Sequence, residues 1–208
     1  MEIASNDQSF INELTNTGDG INGKLIASGN AVVITTGGEG YKGGSGVDEE
    51  SDVSGNAHVT ATAGKSDGYE GESGFNSSLT VSGNATVIAP GGDTSGSKSG
   101  GAGVSSLTIK DNANVRVTGG NSHGNSDPAH GGYGVEGAFN YYGGTFTIES
   151  GSNEINRYYA ICNTLYNQSD APVSFERKKS DTDWTGFSVA AHTSEVMNSE
   201  YYIAVRKQ

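Results

Sequence analysis

Three glycine-rich segments each carry a tyrosine whose ring has the right chemistry to bind a sugar. Tyr41 lies in GYKGGSG, Tyr69 in GYEGESG and Tyr133 in GGYGVEG. Tyr41 lies five residues before Gly46, and Tyr69 lies five residues before Gly74. Aromatic rings pack on the apolar faces of sugars, and nearby amides and carboxylates bind the hydroxyls. The equal offsets predict that Tyr41 and Tyr69 form one carbohydrate-binding platform on neighbouring repeats, with Tyr133 extending its edge.

A structural interpretation of the same tyrosines stays open. In that interpretation the rings form a ladder that covers the edge of the fold, with Lys42 above Glu70 as a stacked ion pair. If a glycan binds elsewhere, the outward face of the predicted strands is the next candidate. That face carries His58, Thr60, Asn114 and Arg116.

Two further clusters contain side chains that can ligate metals. The acidic run from Asp48 to Asp52 offers carboxylate oxygens, which calcium prefers. In the next loop, further ligands for the same ion could come from Asp67, Glu70 and Glu72. A solvated run of charge is the simpler interpretation of this segment. In NSHGNSDPAH, His123 and His130 flank Asp127, a donor set for a transition metal. A metal site therefore stays unknown, with calcium as the candidate.

Catalytic chemistry has little support in the sequence. Many parallel β-helices cleave acidic polysaccharides with clustered carboxylates beside a metal or an arginine, but here only Arg116 lies in a clear repeat strand. No nucleophile elbow, phosphate loop, cysteine–histidine pairing or dinucleotide fingerprint occurs. The single cysteine, Cys162, excludes an internal disulfide and is expected to be a small apolar filler. We expect no enzyme, with a polysaccharide lyase or hydrolase as the least favoured alternative.

Composition narrows the partners. The chain has 208 residues with 33 glycines, and its formal net charge of -12 repels a polyanion such as nucleic acid. No apolar run approaches the roughly 20 residues of a membrane-spanning helix, so no membrane insertion is expected. The first ten residues lack the features of a signal peptide. If the natural protein is exported, this chain is expected to be a signal-trimmed form or a part of a longer protein. Its oligomeric state stays unknown.

The segments that hold these residues belong to a repeat. SGNA begins at Ser28, Ser54 and Ser82, and KDNA at Lys110. Each repeat also has an apolar residue that usually follows a glycine, which we call the anchor. It recurs at intervals of 26, 28, 29, 31 and 26 residues. Its members are Ile21, Val47, Phe75, Val104, Val135 and Ile161. Periods of this length are typical of a solenoid.

Within each repeat, two short runs alternate between apolar and polar residues, which indicates half-buried strands. Stacking the repeats predicts three further apolar columns beside the anchors. They are Leu25, Leu79, Leu107 and Phe139; then Val53, Val81, Ile109 and Tyr141; then Val33, Val59, Val87, Val115 and Phe146. The pattern predicts an all-β fold, a single-stranded right-handed parallel β-helix of about six coils.

The repeated SGNA is predicted to be a corner between the two strands. Its Gly-Asn pair tolerates a positive φ, and the alanine is small enough to lie inside the corner. Stacked coils would align the polar residues into a hydrogen-bonded ladder. Its expected members are Asn30, Asn56, Asn84, Asn112 and Asp170.

The two ends differ from the repeats and are predicted to be caps, because an open terminal coil exposes unpaired backbone. The expected divisions of this single domain are an N-terminal cap at 1–19, regular coils at 20–151, and irregular last coils with a C-terminal cap at 152–208. A short amphipathic helix is expected from Asn6 to Leu14. Phe187, 26 residues after the last anchor, suggests one more irregular turn.

The repeat SLTVSGNATVIAPGG, followed by a GYxGxxG or GxGV element, resembles those of glycine-rich cell-surface proteins of anaerobic, often gut, bacteria. GGYGVEG and the following GGTFTIESG are most similar to the parallel β-helix carbohydrate-binding domain family. The resemblance covers roughly Gly20 to Gly151. It implies a secreted or surface-exposed, adhesin-like protein that binds a polysaccharide or cell-surface glycan. A spacer or assembly module without a ligand is the alternative.

Overall fold

The strands of the chain stack as two parallel sheets. A computed structural model describes residues 18–124, 130–153, 159–179, 183–198 and 202–208, and the backbone of 2–5 and 9–13. Every helix or strand element within these residues is a β-strand, and the parallel coils make about five turns. The predicted all-β solenoid is therefore confirmed. Among the described residues, no helix has the length and apolar character needed to cross a membrane.

Each coil contributes one strand to each sheet. The parallel strands of the first sheet are β1 (Glu2–Ser5), β3 (Ile26–Gly29), β5 (Ser51–Val53), β7 (Phe75–Val81), β9 (Val104–Ile109), β11 (Phe139–Tyr141) and β13 (Thr164–Asn167). Those of the second sheet are β2 (Ser9–Glu13), β4 (Val32–Thr36), β6 (His58–Thr62), β8 (Thr86–Pro90), β10 (Asn114–Thr118) and β12 (Thr145–Glu149). Four antiparallel strands follow them: β14 (Val173–Lys178), β15 (Thr185–Val189), β16 (Thr193–Val196) and β17 (Ala204–Lys207).

The predicted apolar columns form the core. Val87 pairs with Val59 and Val115, and Leu79 pairs with Leu107 in the register that the repeats predict. The anchors bridge from Ile21 through to Ile161 and close the third side of each coil. These side chains are almost completely buried. A coil buries its apolar face only against its neighbours, so the stack as a whole forms one core.

The SGNA corners form the predicted turn, and the glycine takes the unusual conformation. Gly29, Gly55 and Gly83 have φ values of 67°, 69° and 68°. Asp111, at the same position of the next coil, adopts a φ of 58°, and its carboxylate accepts a hydrogen bond of 2.8 Å from the N–H of Gly83. The corner alanines, including Ala85, are fully buried. The residue before the asparagine, and not the asparagine itself, therefore adopts the positive φ.

The asparagine ladder is confirmed over four coils. Asn56 donates to Asn30 at 3.1 Å, Asn84 to Asn56 at 3.2 Å, and Asn112 to Asn84 at 3.4 Å. All three hydrogen bonds are exposed, so each contributes little to stability.

The expected fifth member of the ladder, Asp170, is wrong. Its carboxylate instead lies 3.2 Å from the His192 ring. The ladder ends because the next corner, between Tyr141 and Thr145, has three residues where the others have four. Two of these three are glycines, which have no side-chain amide.

The expected N-terminal helix is also wrong. Ser9–Glu13 is a strand that pairs in parallel with Val32–Thr36, and Glu2–Ser5 pairs in the same way with Ile26–Gly29. Both therefore extend the two sheets. Residues 6–8 and 14 of the expected helix lie outside the described part of the chain.

The sheets end in antiparallel strands at the C-terminal end. β16 pairs with β13 in the first sheet, and β17 pairs with β12 in the second. Phe187, expected in one more irregular turn, lies in β15, which pairs antiparallel with β14 so that Phe187 is opposite Phe175. Phe175 is buried and packs edge-on against Tyr141, with ring centroids 5.2 Å apart. Aromatic rings thus fill the last coils, where the glycine-rich repeats end.

Glycines close each coil on its loop side. The segment leaving the second sheet and the segment returning to the next anchor interleave, and their backbones form one hydrogen-bonded chain along the solenoid axis. Gly101 donates to Gly92 at 2.9 Å, Gly120 to Gly101 at 2.8 Å, Gly132 to Gly120 at 2.8 Å, and Gly151 to Gly132 at 2.8 Å. We call these five residues the glycine neck. A Cβ on Gly101, Gly120 or Gly132 would overlap the backbone of the neighbouring segment, so no side chain fits. Close approach of backbones therefore accounts for much of the glycine content.

Beyond the neck, each loop is free to differ in length. From the second-sheet column to the next anchor, the successive segments span 14, 16, 17, 20 and 15 residues, as from Val33 to Val47. The remainder of each coil, from the anchor to the second-sheet column, spans 12, 12, 12, 11 and 11 residues. Nearly all of the variation in repeat length thus lies in the loops.

Candidate functional site: a tyrosine groove on the loop side

The loops between the neck and the anchors form a groove, which we call the tyrosine groove. It encloses about 320 Å³, within the range of small-ligand sites. The polar and aromatic side chains that line it include those of Tyr69, Glu70, Asn76, His130, Tyr133 and Glu136. Three successive loops contribute to this lining, so the groove exists only when the coils stack.

Buried hydroxyl groups fix the loop that carries Tyr69. Ser66 and Thr94 bridge to each other in parallel and are fully buried. The Thr94 hydroxyl donates to the carbonyl of Tyr69, and the Ser66 hydroxyl donates to that of Glu70, both at 2.9 Å. The backbone is thus held from beneath while the Tyr69 ring stays 47% exposed. A ring presented on a fixed backbone loses little conformational entropy on binding.

Tyr133 is held in the groove by its hydroxyl group. That group lies 3.3 Å from His130 Nε2, and the two ring centroids are 4.9 Å apart. His130 Nδ1 lies 2.8 Å from the carbonyl oxygen of Gly131. Because that oxygen only accepts, Nδ1 carries the proton, and in neutral His130 the Nε2 atom accepts from Tyr133. The tyrosine ring therefore has a defined orientation.

Burial also sets the protonation of Tyr133 and Cys162. Burial raises the pKa of Tyr133, and the nearby Cys162 raises it further, by charge repulsion once its thiol is ionised and by a hydrogen bond between the two side chains. Burial raises the pKa of Cys162 as well, partly offset by its hydrogen bond with Tyr133. Both groups are thus neutral at physiological pH and serve as hydrogen-bonding and packing groups.

The charges in the groove are unbalanced. Lys42 lies 3.1 Å from Glu72, and this carboxylate raises the pKa of the lysine. The expected partner of Lys42 was Glu70, so that pairing is corrected. Within the described part of the chain, the carboxylates of Glu70 and Glu136 have no ion-pair partner. The groove therefore disfavours an acidic ligand.

The three tyrosines expected to form one platform lie in two places. Tyr69 and Tyr133 line the groove, whereas Tyr41, 72% exposed, lies with its ring over the Cα of Gly68. The bridge between Gly40 and Ser66 sets this difference.

From that bridge to the anchor glycine, the first loop spans six residues and the second spans eight. The two extra residues in the second loop put Tyr41 and Tyr69 out of register.

Several groove residues were not singled out as sugar contacts in the sequence. Glu136 lies in the same GGYGVEG motif as Tyr133, and His130 was considered only as a metal ligand. Asn76 directly follows the anchor Phe75, and its amide donates to Asp48 at 2.9 Å. Proximity to the anchor glycine was the signal available for all three.

The candidate metal ligands are dispersed. Asp48 accepts from Asn76, Asp52 pairs with Lys24 at 2.8 Å, and Glu72 pairs with Lys42. Among the described residues, no group of three or more histidine, cysteine or acidic side chains is arranged to hold a metal ion. Asp127, the centre of the predicted histidine cluster, lies outside the described residues.

The second-choice surface is where the strand alternation places it. On the outward face of the second sheet, His58 and Asn114 lie in one row of stacked residues. Thr60 and Arg116 lie in the next row. Arg116 pairs with Glu149 at 3.4 Å. These four residues do not line the tyrosine groove.

Comparison of the chain with protein-family models, with curated proteins and with solved structures finds no match in any of the three. The fold defines a β-solenoid, and the case for its function rests on the residues described above.

Proposed function

We propose that this chain is a non-catalytic, glycan-binding β-solenoid that acts outside the cell or at its surface. The observation that supports this most directly is the tyrosine groove. Tyr69 and Tyr133 offer ring faces, and Asn76, Glu70 and Glu136 offer hydrogen-bonding groups along one concave surface. This combination suits a pyranose, which presents an apolar face and a rim of hydroxyls.

The preferred ligand is a neutral glycan. The carboxylates of Glu70 and Glu136, which have no ion-pair partner among the described residues, line the groove, and the chain as a whole has a net charge of -12. An acidic polysaccharide or a nucleic acid would be repelled by these carboxylates at short range and by the net negative charge of the chain at long range. Neutral hydroxyls, in contrast, are good donors to carboxylate oxygens. A polysaccharide of the cell envelope, host tissue or dietary fibre is consistent with this chemistry.

The test is a glycan array with neutral and acidic members, followed by calorimetric titration of the best ligand. Tyr69→Ala should weaken binding at least tenfold, because it removes an exposed ring from the groove. Tyr41→Ala is the matched control. It removes an even more exposed tyrosine from the preceding loop, outside the groove, and should leave the affinity unchanged.

Each other outcome has a definite meaning. No binding to any glycan would favour the spacer or assembly module. Equal losses in the two variants would move the site away from the groove. Release of shortened glycan by the wild type would show that the chain is an enzyme.

A further inference from the structure

A second concave surface lies on the outward face of the second sheet, where β10 and β12 end beside the antiparallel strands β14 and β17. It encloses about 340 Å³ and is lined by residues that include Thr118, Glu149, Ser152, Lys178, Trp184 and Ala204. We call it the tryptophan groove. Trp184 is the only tryptophan in the chain, and it lies just before β15. This groove shares no lining residue with the tyrosine groove.

Strand pairing fixes the orientation of the indole. β14 pairs with β17 so that Glu176 lies opposite Arg206, and β14 pairs with β15 so that Arg177 lies opposite Thr185. The Arg206 Nε donates to Glu176 at 2.7 Å, and its guanidinium lies 4.0 Å from the centroid of the Trp184 ring. The indole is thus packed on a cation that is itself held in an ion pair. A side chain held in this way is ready to receive a ligand without reorganising.

One positive charge in the tryptophan groove has no counterpart. Glu149 is paired with Arg116 at 3.4 Å, and Arg206 is paired with Glu176. Lys178 is half-buried, and within the described residues its ammonium group has no ion pair or hydrogen bond. Of the two charged side chains that line the groove, Glu149 is thus paired, and Lys178 is the one that a ligand carboxylate can meet.

The surrounding end of the molecule is also less acidic than the rest. From residue 159 to 208 the sequence has five basic and six acidic residues, a balance of -1, whereas residues 1-158 carry the remaining -11 of the net charge of -12. The basic ones are Arg177, Lys178, Lys179, Arg206 and Lys207, and the acidic ones are Asp170, Glu176, Asp181, Asp183, Glu195 and Glu200. A ligand with one negative charge thus meets much less repulsion here than beside the acidic coils, which would still repel a long polyanion.

We propose that the tryptophan groove binds a carboxylated pyranose, such as a terminal uronic acid, with the sugar ring on Trp184 and its carboxylate at Lys178. The hydroxyl groups of Thr118 and Ser152 lie along the same groove and can bind the sugar hydroxyls. This site does not depend on the tyrosine groove. The chain would then hold two glycan sites of opposite charge preference, one on the loop side and one on a sheet face.

The test uses two disaccharides that differ in a single carboxylate, cellobiouronic acid and cellobiose, and follows the fluorescence of the sole tryptophan. Cellobiouronic acid should change the Trp184 signal and saturate, with an affinity that falls as salt rises. Lys178→Gln should weaken this binding at least tenfold. Lys179→Gln is the matched control: it removes the same charge one residue on, where the ammonium lies over Tyr202 at 5.4 Å, and should have no effect.

Other results would overturn the proposal. Equal binding of the two disaccharides would show that no carboxylate is recognised. Equal losses in the two lysine variants, or no saturable signal, would show that the groove is not the site. Stronger binding of a peptide with a free C-terminal carboxylate would identify a protein partner instead of a glycan. Tyr69→Ala should leave the Trp184 titration unchanged, so failure at one groove is separable from failure at the other.

Discussion

Gly74→Ala tests whether close backbone approach, and not merely chain flexibility, explains the anchor glycines. A Cβ at Gly74 would lie 2.7 Å from the carbonyl oxygen of Gly103, 2.9 Å from that of Ala61 and 3.0 Å from that of Pro90. An ordinary Cβ contact begins at 3.4 Å, so the chain must move by about 0.7 Å (3.4 - 2.7). All three obstructing atoms belong to backbone on different strands or coils, and none can move alone.

The cost follows from this displacement. Overpacking a buried position costs about 1–3 kcal/mol. The shift would also stretch the hydrogen bond from the Gly74 N–H to Ala102, now 3.1 Å, beyond a useful length. A weakened buried hydrogen bond adds about 1 kcal/mol, for a total of about 2–4 kcal/mol. For a chain of this size each kcal/mol lowers the Tm by about 2–4 °C, so the Tm should fall by about 4–16 °C.

Thermal and urea unfolding, followed by circular dichroism in the β-sheet band, measure this change. Gly96→Ala is the matched control, because the atom nearest to its added Cβ lies at 3.4 Å, an ordinary contact. It should stay within about 0.5 kcal/mol of the wild type. If Gly74→Ala were as stable as Gly96→Ala, the close-packing explanation of the anchor glycines would be refuted.

Two other substitutions test the corner and the buried tyrosine. Asn84→Leu removes two exposed hydrogen bonds of 3.2 and 3.4 Å and should cost about 1 kcal/mol by urea unfolding. Asn112→Leu, with one ladder bond, should cost less, and equal or absent losses would contradict the ladder. Burial raises the pKa of Tyr133 and Cys162 in the folded chain, so the unfolded chain loses these protons first. Their contribution to stability is therefore complete below the ordinary pKa values, roughly 8.5 for cysteine and 10 for tyrosine, and is lost as the pH rises beyond them. Tyr133→Phe should lose less Tm than the wild type between about pH 9 and 11, and parallel curves would argue against this titration.

The coils were predictable because their spacing is set by local chemistry that repeats. Strand alternation requires Val59, Val87 and Val115 to face inward together, and each corner has a residue that accepts a positive φ. Once several copies are aligned, register follows from the sequence without knowledge of distant contacts. The columns and the Asn30 to Asn112 ladder depend only on that alignment.

The errors occur where a distant partner or a change in length decides the structure. The spacing of Phe10, Ile11 and Leu14 fits a helix, but the backbone of Ser9–Glu13 finds an open strand edge in β4. Pairing with a strand that lies later in the chain overrides the local pattern. Likewise, one residue fewer in a corner ends the ladder before Asp170, which no composition pattern signals.

The candidate site was only partly predictable for the same reason. Tyr69 and Tyr133 stand out in the sequence as exposed rings on glycine-rich backbone. Their meeting depends on how three loops of different length fold past one another, and the two-residue difference after Ser66 moves Tyr41 out of line. The tryptophan groove was missed because antiparallel pairing in the tail, which has no repeat, brings Lys178 next to Trp184.

The glycine neck separates what a mutation does to the loops from what it does to the coils. Because hydrogen bonds between Gly92, Gly101, Gly120 and Gly132 fix both ends of the third and fourth loops, residues inserted there should leave the neighbouring strands in place. The loop-side segments already range from 14 to 20 residues over an almost constant frame. Gene duplication of one coil followed by drift in its loop would therefore produce new binding surfaces at little risk to folding. A lineage of such proteins can change its loop surface faster than its fold.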